Sequence, residues 1–152
     1  MNRFDSLEST DFPRATALII CERIIQDVNT NRKSVIDIFD MVIVPQLPVI
    51  VARMSIYAAI ARGTKDISEF LLGLYTPLGE AIVRSLLNVS DWGNGHAEFA
   101  LPVDGIPITS SGAYDLRLFF VDHGVDHVLS QRNFVVQIAP QAPEAQADSP
   151  TP

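Results

Sequence analysis

The chain has 152 residues, of which 47% are apolar and only 19% are charged, a composition that suits one folded domain with tails and excludes a mostly disordered protein. Eleven Lys and Arg against 18 Asp and Glu give a net charge of −7, which disfavours nucleic acid as a partner because its phosphates repel such a chain. The single cysteine excludes a disulfide-stapled fold and a four-cysteine zinc site.

Composition divides the chain into three parts. Residues 1–13 form a polar, acidic arm without the apolar stretch of a secretory signal. Residues 14–139 hold nearly all of the periodic apolar pattern, and residues 140–152 form a Pro-, Ala- and Gln-rich tail that we expect to be disordered. The longest uncharged apolar run, Met41–Ala52, is broken by two prolines and is shorter than the roughly 20 residues that cross a bilayer. We therefore expect a cytoplasmic protein that does not contact a membrane.

The apolar pattern of residues 14–139 has a period of two. Every even position from Ile50 to Ile60 is apolar, as in a strand with one face on a core. Comparable segments separated by Gly, Pro and Asp turns indicate an all-β fold, an antiparallel sandwich or barrel of about eight strands. The predicted strands lie in residues 16–25, 34–44, 50–60, 67–76, 81–89, 97–101, 114–121 and a last segment ending near residue 138.

The run 34–44 contains two charges, Asp37 and Asp40. An unpaired buried carboxylate is costly, so each should be paired, turned outward or placed at a bulge. A bulge near Phe39–Asp40 would reset the alternation and place Phe39 and Met41 on the core face.

Tyr114 opens a late strand directly after a glycine-containing turn. This placement is typical of a tyrosine corner, in which the hydroxyl ties the strand to the backbone of the preceding connection. The alternative is an ordinary buried tyrosine.

Several segments together resemble a bacterial family of domains of unknown function with an immunoglobulin-like β-sandwich. The resemblance covers roughly residues 14–139 and implies that fold, but it implies no activity, cofactor or catalytic residue. Asp37 stands where such sequences commonly carry a small residue such as glycine. The segments that carry the resemblance are Leu18–Glu22, Ser34–Asp40, the Pro45–Pro48 break and Gly112–Leu118.

The segment Asp122-His-Gly-Val-Asp-His127 is the sharpest candidate for chemistry. With Gly124–Val125 as a two-residue turn, Asp122 pairs with His127 and His123 pairs with Asp126. Carboxylates and imidazoles suit Zn²⁺, but the two pairs fall on opposite faces of the ribbon because successive side chains alternate. A solvated turn is therefore favoured, and no metal or cofactor is predicted.

Trp92 and His96 flank a glycine-rich loop, Trp92-Gly-Asn-Gly-His96. The indole could stack on a sugar or a partner residue, or it could cap one end of the sandwich. Capping is favoured, since large aromatic residues are mostly used in packing.

An enzyme is the least supported reading. Cys21 lies within an apolar strand, and a buried thiol of that kind is inert. Gly-x-Ser-x-Gly, a Walker loop and Gly-x-Gly-x-x-Gly are all absent from the sequence.

The apolar residues outnumber those that one inner face per strand can bury. Leu71, Phe119 and Val121 fall on the face opposite their apolar neighbours and would need a covering arm, subunit or partner. The first hypothesis is therefore a non-enzymatic interaction module that self-associates through an outer sheet face or an edge strand. The second is a sandwich whose end loops bind a small ligand or a metal, with candidates Trp92, His96, Asp122, His123, Asp126 and His127.

Overall fold

The computed structural model describes residues 11–141, over which the chain forms nine β-strands in two sheets and no helix. The sheets have the strand orders β2-β1-β4-β7 and β3-β9-β8-β5-β6, and only β3 and β9 run parallel. The all-β class is confirmed, whereas residues 1–10 of the predicted arm and 142–152 of the predicted tail lie outside the described residues. The strands are β1 (Arg14–Gln26), β2 (Lys33–Ile38), β3 (Met41–Val44), β4 (Val49–Ala61), β5 (Glu69–Tyr75), β6 (Ala81–Asn88), β7 (His96–Ile108), β8 (Gly112–Asp122) and β9 (Val125–Ile138).

The apolar core lies between the inner faces of the two sheets. Alternation places Met54 and the following even positions of β4 inside, as predicted, and Ile60 is fully buried. Ile50 is different, because it is 67% exposed while Val49 and Val51 pack against the core instead. The change occurs opposite Gly105 of β7, whose φ of +69° lies outside the strand region.

The run 34–44 is two strands in different sheets. β2 belongs to the four-stranded sheet. The chain then crosses at Phe39–Asp40 to the five-stranded sheet, where β3 pairs with β9. Phe39 packs against the core, as the predicted bulge required. The same prediction for Met41 is wrong: Met41 is 46% exposed, because the alternation that starts with β3 turns Val42 and Val44 inward.

The hairpin formed by β1 and β2 folds over the outer face of its own sheet. Lys33 pairs with Gln26 of β1, whereas Glu98 of β7 lies level with Ala17, nine residues earlier in β1. Nine extended residues span about 30 Å, yet the Lys33 ammonium and the Glu98 carboxylate are only 2.7 Å apart. β1 must therefore bend back, and it does so after Cys21, where its pairing changes from β4 to β2.

Burial on the outer face of the four-stranded sheet agrees with this bend. Ser55 and Ala59 point away from the core, yet they are 6% and 8% exposed, and Cys21 between them and the hairpin is fully buried. The Ser55 hydroxyl donates to the carbonyl of Glu22, 3.4 Å away, at the start of the bend. The hairpin thus covers the part of this outer face around Ser55 and Ala59, while Ile50 and the outward residues of β7 stay exposed.

The connection from β7 to β8 is fixed by Tyr114. Its side chain is fully buried, and its hydroxyl donates to the carbonyl oxygen of Ser110 at 2.9 Å. The ring stacks on Phe134 of β9 with centroids 5.3 Å apart. This is the geometry predicted for a tyrosine corner.

Candidate interaction face

The outer surface of β6, β5, β8 and β9, called here the open face, carries a row of apolar side chains. The register places Leu86, Leu71, Phe119 and Val128 side by side across the four strands. The two ends of this apolar row are open to solvent, with Leu86 56% and Val128 53% exposed. The open face therefore carries an apolar row across the strands whose exposed surface lies mainly at its two ends.

The three interface residues predicted from the sequence lie on the open face, but they differ in exposure. Val121, two residues after Phe119, is 50% exposed, and Leu71 is half-buried. The expectation that Phe119 needs an outside cover is wrong, since it is only 3% exposed. A bulge between Leu118 and Phe119 interrupts the pairing with β9 at this point.

Acidic residues border the apolar row on one side. Glu69, two residues before Leu71, and Asp126, paired with Val121, are both exposed. Glu69, Val121 and Asp126 form what we call the acidic row.

Arginines border the apolar row on the other side. Arg84 and Arg117 both pair with Gly73, one from each neighbouring strand, and together they form the arginine row. The Tyr75 ring lies over Gly73, where an added Cβ would come within 2.7 Å of it, and the Arg117 guanidinium stacks 4.8 Å from the ring centroid. A hydrogen bond to the Tyr75 hydroxyl raises the pKa of the Arg84 guanidinium, with a smaller contribution from the charge of Asp126.

A polar cleft of about 560 Å³ lies at the tip of the β1–β2 hairpin. Its centre is Glu98, whose pKa is lowered chiefly by the hydrogen bond from Lys33 and further by Tyr57 and the charge of His96. Burial and the contact with Glu98 raise the pKa of Tyr57. The lining residues include Asn88, Ser90, Asp91 and Asn94.

Trp92 and His96 separate in the structure. Trp92 is 9% exposed and packs edge-on against Phe70 with ring centroids 6.0 Å apart, so it belongs to the core and is not available for stacking on a ligand. His96 is exposed and lines the polar cleft.

The predicted register of the β8–β9 hairpin is wrong. The two-residue turn is His123–Gly124, not Gly124–Val125, so that Asp122 lies opposite Val125 and Asp126 lies opposite Val121. Both turn residues have positive φ, +51° and +80°, which a type I′ turn requires.

The four candidate ligands of this hairpin do not converge. The His123 imidazole is exposed and contacts the Asp122 carboxylate at 2.7 Å. His127 forms a cluster of three rings with Phe12 and Phe120, whose centroids lie 5.1 and 4.9 Å from that of the imidazole. Over residues 11–141, no three His, Cys, Asp or Glu side chains are grouped as a metal ion would need.

Cys21 is fully buried, and desolvation raises the pKa of its thiol. Its Sγ lies 3.5 Å from the carbonyl oxygens of Arg23 and Ser55. A thiol in this state is a poor nucleophile.

A second hollow, of about 360 Å³, opens where β1 and β9 meet and was not foreseen from the sequence. Ile19, Phe39 and Arg132 are among its lining residues, and the Arg132 guanidinium donates to the carbonyl of Leu18 at 3.1 Å. This bond joins the two sheets, so Arg132 has a structural partner. No local pattern in the sequence marks this contact, because 114 residues separate the two partners.

These features define a two-sheet β protein whose most distinctive surface is an apolar row between an acidic and an arginine row. The chain belongs to the Family of unknown function (DUF6941), whose pattern matches residues 16–137. No curated protein matches the chain. The described residues contain no helix of the length and apolarity needed to cross a membrane.

Proposed function

We propose that this protein is a non-enzymatic protein-interaction module that self-associates through the open face. The observation that carries the proposal is the exposure of Leu86, Val121 and Val128, each at least half open to solvent on one continuous surface. Exposed apolar patches of this kind mark interaction sites in folded proteins.

The contrast between the two outer faces supports the proposal. The β1–β2 hairpin covers part of the outer face of the four-stranded sheet and buries Ser55 and Ala59. Within residues 11–141 no comparable segment lies over the five-stranded sheet, whose apolar row stays exposed. Removing apolar surface from water stabilises a complex by about 25 cal/mol per Å², so a second copy that docks there gains stability from burying these side chains.

Sedimentation velocity over protein concentrations from about 1 to 200 μM tests the proposal, a range that covers weak to moderate affinities. We expect a monomer–dimer equilibrium in the wild type and a monomer in Leu86→Glu and Val128→Glu. Both positions are exposed, so a glutamate there does not disturb the core. Ile50→Glu is the matched control, at a comparably exposed strand position in the other sheet, and should leave the equilibrium unchanged.

A wild type that remains monomeric throughout this range would contradict the proposal. So would a dimer that Leu86→Glu and Val128→Glu leave intact, because association would then use another surface.

We further propose that the sandwich is immunoglobulin-like. The orders β1-β4-β7 and β9-β8-β5 correspond to the strand orders A-B-E and G-F-C of that fold, and Tyr114 at the start of β8 corresponds to its tyrosine corner. An experimental structure that paired β1 with β9 instead of β4 would contradict this assignment.

The proposed compartment is the cytoplasm. The support is the single cysteine, which is buried and unable to form an intramolecular disulfide. Fractionation of the native cells, with detection by an antibody to this chain, is the test, and recovery from an extracellular fraction would contradict it.

A second candidate function, binding of a small polar ligand, is favoured by the cleft around Glu98. The cleft joins an ammonium, a carboxylate and the His96 imidazole in about 560 Å³. Thermal unfolding of the wild type and of His96→Ala, each mixed in turn with a panel of small polar metabolites, tests this function. A rise in Tm of the wild type that His96→Ala abolishes would support it, and unchanged Tm values with every compound would contradict it.

A further inference from the structure

We infer that the second copy docks on the open face about a two-fold axis that runs across the strands, along the apolar row. The acidic row of each copy then lies over the arginine row of the other. This inference rests on the proposed self-association and adds its geometry. It is carried by the order of the three rows, which is arginine, apolar and acidic along the strand direction.

Two identical sheets can stack face to face about two kinds of two-fold axis, both lying in the interface plane. An axis parallel to the strands places each row opposite the identical row of the partner, so the acidic row, with Glu69 and Asp126, would face the partner's acidic row. An axis perpendicular to the strands reverses the row order. Only the second arrangement sets opposite charges against each other, and like charges placed opposite one another disfavour a complex.

The perpendicular axis also gives the apolar row a self-complementary contact. Each strand stacks on its own copy in the opposite direction, so Leu86, Leu71 and Val128 each lie near their counterparts. Isologous two-fold interfaces have this property, in which one patch is complementary to itself. The reversed strand direction is compatible with the roughly 30° crossing of aligned stacked sheets.

The charged side chains can reach their partners from these positions. In the reversed arrangement Arg117 of one copy lies over Val121 of the other, between the strands that carry Glu69 and Asp126. Arg84 lies one strand, or about 4.8 Å, from the strand of Glu69. An arginine side chain spans that offset, so Arg84 and Arg117 of each copy approach the partner's acidic row, with Arg117 also ion-paired to Asp115 of its own chain.

The size of the open face fits a dimer of modest affinity. Four strands about 4.8 Å apart and three rows of outward residues about 6.7 Å apart give a surface of about 19 by 20 Å, or about 400 Å² per copy. Two copies then bury about 800 Å², a size found in weak, transient interfaces. We therefore expect a weak dimer, populated toward the upper end of the concentration range from about 1 to 200 μM.

Charge reversal tests the arrangement. A basic variant, Glu69→Arg with Asp126→Arg, and an acidic variant, Arg84→Glu with Arg117→Glu, should each weaken the homodimer at least about tenfold in sedimentation velocity. An equimolar mixture of the two should form a heterodimer at least as tight as the wild type. Arg84→Glu alone serves if the loss of Arg117 from the Tyr75 ring disturbs folding, since Arg84 is exposed.

Salt provides a second readout on the unmodified protein. Opposed acidic and arginine rows predict that the wild-type dimer dissociates more readily at high ionic strength, because salt screens the attraction. The arrangement in which each row faces the identical row of the partner predicts that salt stabilises the dimer, because salt then screens a repulsion.

The outcomes separate the two proposals. A wild-type dimer that Val128→Glu disrupts, but that charge reversal and salt leave unchanged, overturns the two-fold arrangement alone. A wild type that stays monomeric overturns the self-association itself, and the arrangement with it. Weakened homodimers together with a restored mixed dimer support both.

Discussion

Replacing Tyr114 by Phe removes one hydroxyl from a fully buried side chain and leaves its ring in place. The lost contact is the 2.9 Å hydrogen bond to the Ser110 carbonyl, which ties the start of β8 to the preceding connection. A buried hydrogen bond of this kind contributes about 1 kcal/mol net, so the free energy of unfolding should fall by about 1–1.5 kcal/mol. For a domain of this size that corresponds to a loss of about 3–5 °C in Tm.

Thermal and urea unfolding, both followed by circular dichroism, measure this change. Tyr75→Phe is the matched control, because its hydroxyl contacts Arg84 on the open face and its removal should cost less than about 0.5 kcal/mol. Equal effects of the two substitutions would refute the reasoning, since the hydrogen bond to Ser110 would then carry no more energy than a surface contact.

Three further changes test other parts of the fold. The Lys33–Glu98 pair should contribute at most about 1 kcal/mol to the free energy of unfolding, because the Glu98 side chain is 47% exposed. This contribution should be lost as pH falls below the ordinary glutamate pKa of 4.5 and through the lowered pKa of Glu98. Lys33→Met should remove this pH-dependent component from urea unfolding measured between about pH 7 and pH 3. Cys21 should react with a thiol reagent only as fast as the protein opens, because it is fully buried and its pKa is raised, whereas a cysteine at Val121 should react at once. Gly63→Ala should destabilise by about 1–3 kcal/mol, because the added Cβ would come within 2.4 Å of the Phe12 carbonyl carbon; unchanged urea unfolding would show that the contact relaxes without cost.

Alternation in the sequence was sufficient to predict the strands and much of the core. A period of two is a local property, and it places Ile56 and Ile60 on one face whatever the strand pairs with. It fails where the backbone departs from a regular strand. Ile50, near Gly105, and Phe119, at the bulge with β9, therefore have exposures that alternation does not predict.

In the β8–β9 hairpin at residues 122–127, a shift of the turn by one residue changes which side chains lie opposite each other. Placing the turn at Gly124–Val125 paired carboxylates with imidazoles and suggested a ligand site. The observed turn at His123–Gly124 sends His127 against Phe120 and puts Asp126 on the open face. The signal was present in the sequence, because glycine is favoured at the second position of a type I′ turn and His123 tolerates positive φ there.

Two other features could not be predicted from local patterns. Asp37 has a φ of +53°, which explains why glycine suits that position, but the change of sheet that follows depends on the space available beside β9. The ion pair that anchors the hairpin joins residues 65 positions apart. Nothing near Lys33 in the sequence indicates that Glu98 is its partner. The sequence therefore predicted neither the packing of the β1–β2 hairpin over its own sheet nor the polar cleft.

The connections between strands explain why the two outer faces are covered to different extents. β1 and β2 together extend well past the last residue that pairs with β4, and this surplus length lets the hairpin return over its own sheet. On the five-stranded sheet, β8 and β9 are joined by two residues and β5 and β6 by a short turn, so neither hairpin has chain to spare for a cover. The apolar row is therefore exposed as a consequence of tight turns within its own sheet, and burying it requires a surface from outside the described domain. A second copy of the open face, with its rows reversed, is the surface that matches it in both apolarity and charge.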